Sequence, residues 1–364
     1  MVKDTISAHQ TGVIAGIILF ALKMTALPSL IYKYNGTGAI ISFVFVIILN
    51  TLFLWLVVWI KLKYPMVSLY DIFKSKLGIF VTKLLYLIFF VFFFLKLLLM
   101  ISDGYTFIKD VADDEFTIFK MFLCFLPIIG TLAYSGIRNI GRTSEFFLPF
   151  IIVTLVFAVA FSVIPINSWS FGCLTIKGVS GFFSSLFKLS FWTGDLFALV
   201  IFLDKIEIKK GKAKEVFFPF LIMAIILVIL YILYYSLYQE TSQYHVNLLN
   251  DVVQYAIGTS KGWHMDFFAI VVFMINIYLQ GAVLLYCANE CLQKLINYKY
   301  NVISLSVIIV FLCMADFLYL NDYFKYITFA EEVLCYFSAV TIVLVPLLLL
   351  ILAIVKKEKI NGKT

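Results

Sequence analysis

Apolar residues in this chain do not alternate with polar ones; they run in blocks of roughly twenty, separated by short polar segments. Such a block matches the length an α-helix needs to cross bilayer hydrocarbon, about 20 residues at 1.5 Å of rise each. Ten blocks are read, at 10–32, 37–60, 80–105, 117–135, 144–165, 182–203, 216–238, 266–290, 301–319 and 333–355. The pattern predicts an all-α polytopic membrane protein of about ten transmembrane helices, a single domain over 1–364. The longest connection, 239–265, holds a stretch from His245 to Gly258 with Val246, Leu249, Val252, Val253 and Ile257 at helix-like spacing. A short helix across the outer mouth is expected there, either a gating element or a plain surface helix.

Composition narrows the class. Hydrophobic residues make up 63% of the chain and charged residues 13%, with a mean hydropathy of +1.04; soluble domains hold about 45–50% apolar and about 25% charged residues. No water-soluble fold of 364 residues hides that much apolar surface, whereas lipid accepts it and leaves only backbone polarity to be met internally. The 39 Phe and 21 Tyr suit lipid-facing bulk and interface anchors. The first apolar stretch runs to Tyr32, too long for the h-region of a cleavable signal, so it is read as retained structure.

A net charge of +7 would suggest nucleic acid in a soluble protein, but here the basic residues sit in short loops, which encodes orientation. With the N-terminus inside, 19 of the 28 Lys and Arg residues fall in inside segments and 5 in outside segments, leaving Lys23, Lys96, Lys120 and Lys188 within or at the ends of spans. An odd number of spans would mix the two classes, so both termini are expected on the cytoplasmic side of a bacterial membrane. No nucleic-acid partner is expected.

Several chemistries are disfavoured. The six Cys form no C-x-x-C pair, and Cys287 and Cys291, one helical turn apart, have no nearby His, so no metal site is read. His9, His245 and His264 fall at span ends or outside, which disfavours a buried histidine relay. Neither G-x-x-x-x-G-K-[ST] nor H-E-x-x-H occurs. No catalytic residue and no cofactor are assigned, and the chain is not read as an enzyme.

Ionisable residues at membrane depth carry the remaining signal, because their burial is expensive and marks a functional interior. In the first span Lys23 lies well inside, followed by Thr25, Ala26 and Pro28, and the proline removes a backbone donor. The sixth span carries Lys188 and Asp195 about two turns apart, with the helix-weakening run Ser190 to Gly194 between them, including Trp192 and Thr193. Broken first helices in two halves, here 10–165 and 182–355, are the sequence pointer to a 5+5 inverted repeat with a central site. Lys96 with Asp103 in the third span, and Asn276 with Gln280 at i, i+4 in the eighth, complete the polar set. A Lys23–Asp195 charge pair is expected, since an unpaired charge there costs several kcal/mol. Lys96 and Lys188 either join this interior or snorkel to an interface. The candidate ligand-binding set is Lys23, Thr25, Ala26, Lys96, Trp192, Thr193, Gly194, Asp195, Asn276 and Gln280.

Four stretches carry a resemblance to a known group: I-S-A-H-Q at Ile6–Gln10, A-L-P-S at Ala26–Ser29, A-Y-S-G-I-R-N-I-G-R-T-S-E-F-F-L-P-F at Ala133–Phe150, and T-G-D-L at Thr193–Leu196. With length and span count, these make the chain resemble the endospore germination permeases, the B subunits of spore germinant receptors, distant relatives of the amino acid/polyamine/organocation transporters. The third stretch is the most specific. It places Arg138 and Arg142 on the cytoplasmic side as an anchor, with Thr143 or Ser144 expected as a helix N-cap and Glu145 in the first turn; Pro149 is expected to kink the fifth span. The resemblance implies a transporter-like fold with helices 1 and 6 unwound at the centre, sensing a small nutrient such as an amino acid. It also implies an A-type subunit and a lipoprotein C-type subunit as partners in the spore inner membrane. The chain departs from the family at Lys23, where a small residue such as Gly is usual; a cation there would bind a substrate carboxylate, replace a bound Na⁺, or fill the pocket while paired to Asp195. The rival readings are a proton-coupled amino acid transporter and a structural membrane scaffold.

Overall fold

The computed structural model describes residues 4–64, 68–111, 115–163, 178–209, 211–257, 266–297, 301–319 and 323–354. Nearly all of them are helical. Among the described residues, five helices are long and apolar enough to cross a membrane, Ala39–Lys63, Ile79–Val111, Ile137–Ala160, Ala213–Tyr244 and Ala269–Ile296, and a bent pair at the start of the chain forms a sixth candidate. Their outward faces carry large apolar side chains such as Leu52, Trp55, Phe80 and Phe218, more than half exposed, which only lipid can cover. The chain is an all-α polytopic membrane protein.

The first span is interrupted. Helix α1 (Ala8–Phe20) is started by Ser7, whose hydroxyl accepts from Gln10 N–H while the Gln10 side chain accepts from Ser7 N–H, a reciprocal cap that satisfies two orphan donors. A 3₁₀ turn (Ala21–Lys23) follows, and α2 (Leu27–Asn35) restarts at an angle of 66°. Pro28 has no N–H to give Met24 O, so an unbroken helix cannot pass; placed in the first turn of α2, the same ring is tolerated.

α1 is buried on all sides, which requires close neighbours. Helix α3 spans Ala39–Lys63, α4 Leu69–Leu77, α5 Ile79–Val111, α6 Ile118–Tyr134 and α7 Ile137–Val163. After the sixth segment, α11 covers Ala213–Tyr238, α12 Leu248–Ile257, α13 Asp266–Ile296 and α14 Asn301–Tyr319. Glycines let α1 and α11 meet: a Cβ on Gly12 would stand 2.2 Å from Val216 O, and one on Gly16 3.0 Å from Met223 Cγ. Close backbone approach through small residues is how helices associate where lipid removes the hydrophobic drive.

The sixth segment is broken more often than the first. It consists of α8 (Val179–Lys188), α9 (Ser190–Thr193), a 3₁₀ turn (Asp195–Phe197) and α10 (Ala198–Ile201). The last segment begins at Tyr323, ten residues before the span read from hydropathy. It runs as α15 (Tyr323–Phe329), a π-turn (Ala330–Leu334) and α16 (Cys335–Ile354). A Cβ on Gly194 would meet Ile342 Cδ1 at 2.3 Å, so the glycine lets the break pack onto α16. Ser190 Oγ reinforces that contact by donating to Cys335 O at 3.0 Å.

Two short strands, β1 (Ile6–Ser7) and β2 (Ile206–Glu207), pair in parallel with Ile6 opposite Ile206. They tie the residues before α1 to those after α10. Lys61, one residue beyond the span read at 37–60, is 3% exposed in the last turn of α3. Its Nζ donates to Leu203 O at 2.9 Å and Asp204 O at 3.4 Å, satisfying carbonyls where the sixth segment ends.

The region read as a helix start is corrected. α7 begins at Ile137 and passes without a break through Arg142, Thr143, Ser144 and Glu145. Gly136 turns the chain at φ 90°, a conformation glycine adopts without strain, and Asp4 Oδ1 accepts Arg138 N–H at 3.0 Å. That carboxylate does the capping expected of Thr143 or Ser144. Glu145, two turns into the helix, accepts from His9 Nδ1 at 2.7 Å and Gln10 Nε2 at 3.1 Å. Pro149 lies within the continuous helix. In the long connection a helix does form at Leu248–Ile257, with Leu248, Leu249, Val252 and Val253 buried; Gly258 and the residues through Met265 lie outside the described residues.

A buried charge cluster at the helix breaks

Both interruptions open toward the same place. Lys23, the last residue of the 3₁₀ turn after α1, donates from Nζ to Asp195 Oδ2 at 2.9 Å. Asp195 opens the 3₁₀ turn in the sixth segment. Its other oxygen, Oδ1, is in close ionic contact with Lys96 Nζ from the middle of α5. Lys23, Lys96 and Asp195 are 1%, 0% and 1% exposed. Two ammonium groups therefore share one carboxylate, sealed from solvent. Lys96 also lies 4.7 Å from the Phe191 ring centroid and 5.7 Å from that of Phe92, a cation–π arrangement that partly replaces lost hydration.

Polar side chains from neighbouring helices complete the surroundings. Thr25 Oγ1 donates to Asp103 Oδ2 at 2.8 Å, linking the first break to α5 about two turns beyond Lys96. Donors from α11 bond to both sides of the first break: Tyr231 Oη donates to Lys23 O at 2.8 Å and Tyr235 Oη to Pro28 O at 2.7 Å. Tyr231 also stacks on Phe43, with ring centroids 3.6 Å apart. These tyrosines were not singled out from sequence, although the hydroxyl-bearing residues gathered at the end of α11, with Tyr231 and Tyr235 at i, i+4, were the available signal.

The other candidate residues divide. Ala26 is buried, and its carbonyl accepts from Ser29 Oγ and from Leu30 N–H, where α2 restarts. Trp192 and Gln280 are 0% exposed, and neither Trp192 Nε1 nor either Gln280 amide atom has a hydrogen-bond partner among the described residues. Asn276 gives Nδ2 to Val272 O at 2.8 Å while its Oδ1 has none. Thr193 is only partly buried and bonds locally to Ser190 O. Gly194 serves the packing onto α16 described above. Lys188 is partly exposed, with Nζ 5.0 Å from the Tyr34 ring centroid, and has no ion-pair contact with Asp195. Arg142 and Glu145 lie at the N-terminal end of the bundle, apart from this cluster.

That same end holds a second network the sequence did not reveal. Lys205 reaches Glu290 Oε1 at 2.6 Å and Asp4 Oδ2 at 3.8 Å, and is in close contact with Tyr286 Oη. Together with the β1–β2 pairing, it joins the ends of the first, sixth and eighth segments. At the opposite end Lys33 pairs with Glu331, on the π-turn, at 3.1 Å. The charge cluster thus lies between two peripheral sets of ties. Against models of known protein families and against curated proteins, the chain shows no match.

Proposed function

We propose that this chain is a ligand-sensing membrane subunit of the spore germinant receptor type, binding a small nutrient where the first and sixth helices are interrupted. The observation that carries the reading is the Lys23–Asp195–Lys96 cluster, three ionised groups that would cost several kcal/mol each to bury without a purpose or a partner. Ten spans in a 5+5 transporter-like arrangement, with both termini on the cytoplasmic side, accommodate the two breaks and the basic loops. Partners are an A-type subunit and a lipoprotein C-type subunit, and the location is the spore inner membrane or bacterial cell membrane. Nutrient arriving from outside shifts the bundle between two arrangements, and the ties at its ends are the contacts that change.

The test is nutrient-triggered germination of spores carrying Lys23→Ala or Asp195→Ala. A right-shifted or abolished dose response in both supports the reading; an unchanged dose response in both removes the pocket. One observation favours the alternative, a proton-coupled amino acid transporter: two lysines compete for one carboxylate, so that a proton leaving either ammonium leaves an intact pair behind. Uptake of labelled amino acid into liposomes under a pH gradient would establish that alternative.

A further inference from the structure

The connection between α11 and α13 brings two carboxyls together away from the charge cluster. Asp251, in the first turn of α12, accepts Asn247 N–H on Oδ2 at 3.2 Å, and Asp110, in the last turn of α5, accepts Asn247 Nδ2 on Oδ2 at 3.4 Å. One asparagine thus stands between two acids of like charge. The Asp251 side chain is 15% exposed, so water screens that repulsion poorly. His245 Nδ1 lies 3.8 Å from Asp251 Oδ2, but burial pushes its imidazole down, which leaves it uncharged near neutral pH. From α11, Tyr238 Oη donates to Asp251 O at 2.9 Å, and Tyr234 stands beside Tyr238 with ring centroids 5.5 Å apart. Lys109, next to Asp110 in the chain, turns to the Tyr105 ring, 5.9 Å from its centroid. Of the other helices packed on α12, α7 has no ionisable side chain after Glu145, and α13 begins with a further acid, Asp266. Among the described residues no Lys or Arg pairs with Asp251.

The same connection is seated on the first span. It leaves α11 through Gln239 at φ 44° and ψ −121°, a conformation that a non-glycine side chain holds only where surrounding contacts impose it. The 3₁₀ stretch Gln239–Tyr244 then packs against α2. Its far end is fixed by Tyr234 Oη, which donates to Ser242 O at 2.7 Å and reaches His245 O at 2.8 Å. The next residue of α11, Tyr235, donates to Pro28 O at 2.7 Å, and its ring centroid lies 5.9 Å from that of Tyr32. Adjacent tyrosines therefore hold the connection and the α2 half of the first span. What loosens one reaches the other by direct contact.

We infer that this connection carries a proton-binding site, the carboxyls of Asp251 and Asp110 on either side of Asn247, and that the proton held there keeps Gln239–Tyr244 seated on α2. With the proton, one negative charge of the pair is gone and α12 stays buried. Without it, two carboxylates repel in a poorly hydrated place, and hydrating Asp251 lifts α12 and the stretch before it. The site is separate from the Lys23–Asp195–Lys96 centre and does not depend on what binds there.

Amide hydrogen exchange of the purified full chain in nanodiscs, each rate divided by the intrinsic amide rate at that pH, tests this at residues 239–251 and 30–35. Burial, with Asp110 adding to it, raises the Asp251 carboxyl to about 7, against about 4 once it is lifted into water. The lifted population is therefore expected to grow about tenfold per pH unit between about pH 5 and about pH 7, and to level above that, in both segments together. In Asp251→Asn, whose amide keeps the uncharged form, exchange is expected to stay slow and independent of pH. Asp110→Asn, the second variant should the first fail to fold, removes the like charge and moves the rise down by about one pH unit. A parent profile without the rise overturns the inference, as does a rise that survives in Asp251→Asn or that Asp110→Asn leaves in place. A rise at 239–251 with none at 30–35 overturns it as well, because the proton would then not act on α2. Slow exchange restored by calcium chloride at about pH 8 assigns the pair to a metal ion and overturns the proton.

Discussion

Asp195 is the group on which the cluster's stability turns, and removing it is predicted to cost more than removing either lysine. In Lys96→Met the carboxylate keeps Lys23 at 2.9 Å, one ammonium no longer needs to be desolvated, and an unbranched side chain fills most of the space. The net cost is expected to be about 0–2 kcal/mol, since a buried ion pair replaced by apolar atoms is often near neutral. In Asp195→Asn both ammonium groups stay buried and lose their counter-charge, and breaking one buried pair in this way costs about 3–5 kcal/mol. The Tm of Asp195→Asn should therefore fall about 4–7 °C below that of the parent, and that of Lys96→Met by no more than about 3 °C. The double variant Lys23→Met/Lys96→Met strands Asp195 without a cation, so its loss exceeds the sum of the two single losses, a coupling double-mutant cycles resolve. Thermal unfolding of the purified chain in one detergent, with each variant compared at the same pH, measures all four. Equal losses for Asp195→Asn and Lys96→Met, or additivity of the two lysine variants, would refute the shared-carboxylate argument.

Three further outcomes follow from contacts outside the cluster. Tyr231→Phe leaves Lys23 O buried without its donor and is expected to lower stability by about 1–3 kcal/mol, visible as reduced Tm; a Tm within one degree of the parent would contradict it. Gly12→Ala places a methyl 2.2 Å from Val216 O, so overpacking of about 1–3 kcal/mol or more should reduce the yield of folded protein on size-exclusion chromatography, while Gly130→Ala, with its nearest contact at 3.5 Å, should not. In the connection between α11 and α13, burial pushes the Asp251 carboxyl up to about 7, Asp110 adding to the effect and the Asn247 N–H opposing it. A carboxyl raised in the folded state binds its proton more tightly there than in the unfolded chain. Its stabilising contribution is complete below about pH 4 and is lost as pH rises to about 7. The difference in Tm between parent and Asp251→Asn should therefore shift against the parent over that interval and stay level above it; a difference that does not vary with pH would contradict the assignment.

How much of this was legible in the residues depends on whether the signal was local. The apolar blocks, the proline at 28, and the small and polar run at 190–194 act within one segment, and both helices are interrupted near those points. The pairing of Lys23 with Asp195 followed from one nonlocal premise, that isolated charge at membrane depth finds a partner. That premise could not say how many partners one carboxylate would take, and so Lys96 stayed open between interior and interface. The loop containing Arg138 and Arg142 misled for the opposite reason. Its Thr143-Ser144-x pattern is a sound local cap, but Gly136 and the distant Asp4 supply a start seven residues earlier, and a helix extends wherever its first amides are satisfied. The burial of Lys61 was likewise out of reach: it stands at the end of an apolar run, while the carbonyls of Leu203 and Asp204 draw its ammonium inward. In each case the decisive partner comes from another segment of the chain. Tyr231 shows the same principle in the favourable direction, because the carbonyl it serves exists only where α1 has stopped being a helix. An interrupted span thus depends on donors elsewhere in the bundle, and substitutions on α11 are the place where the stability of the first break can be altered without touching its charges.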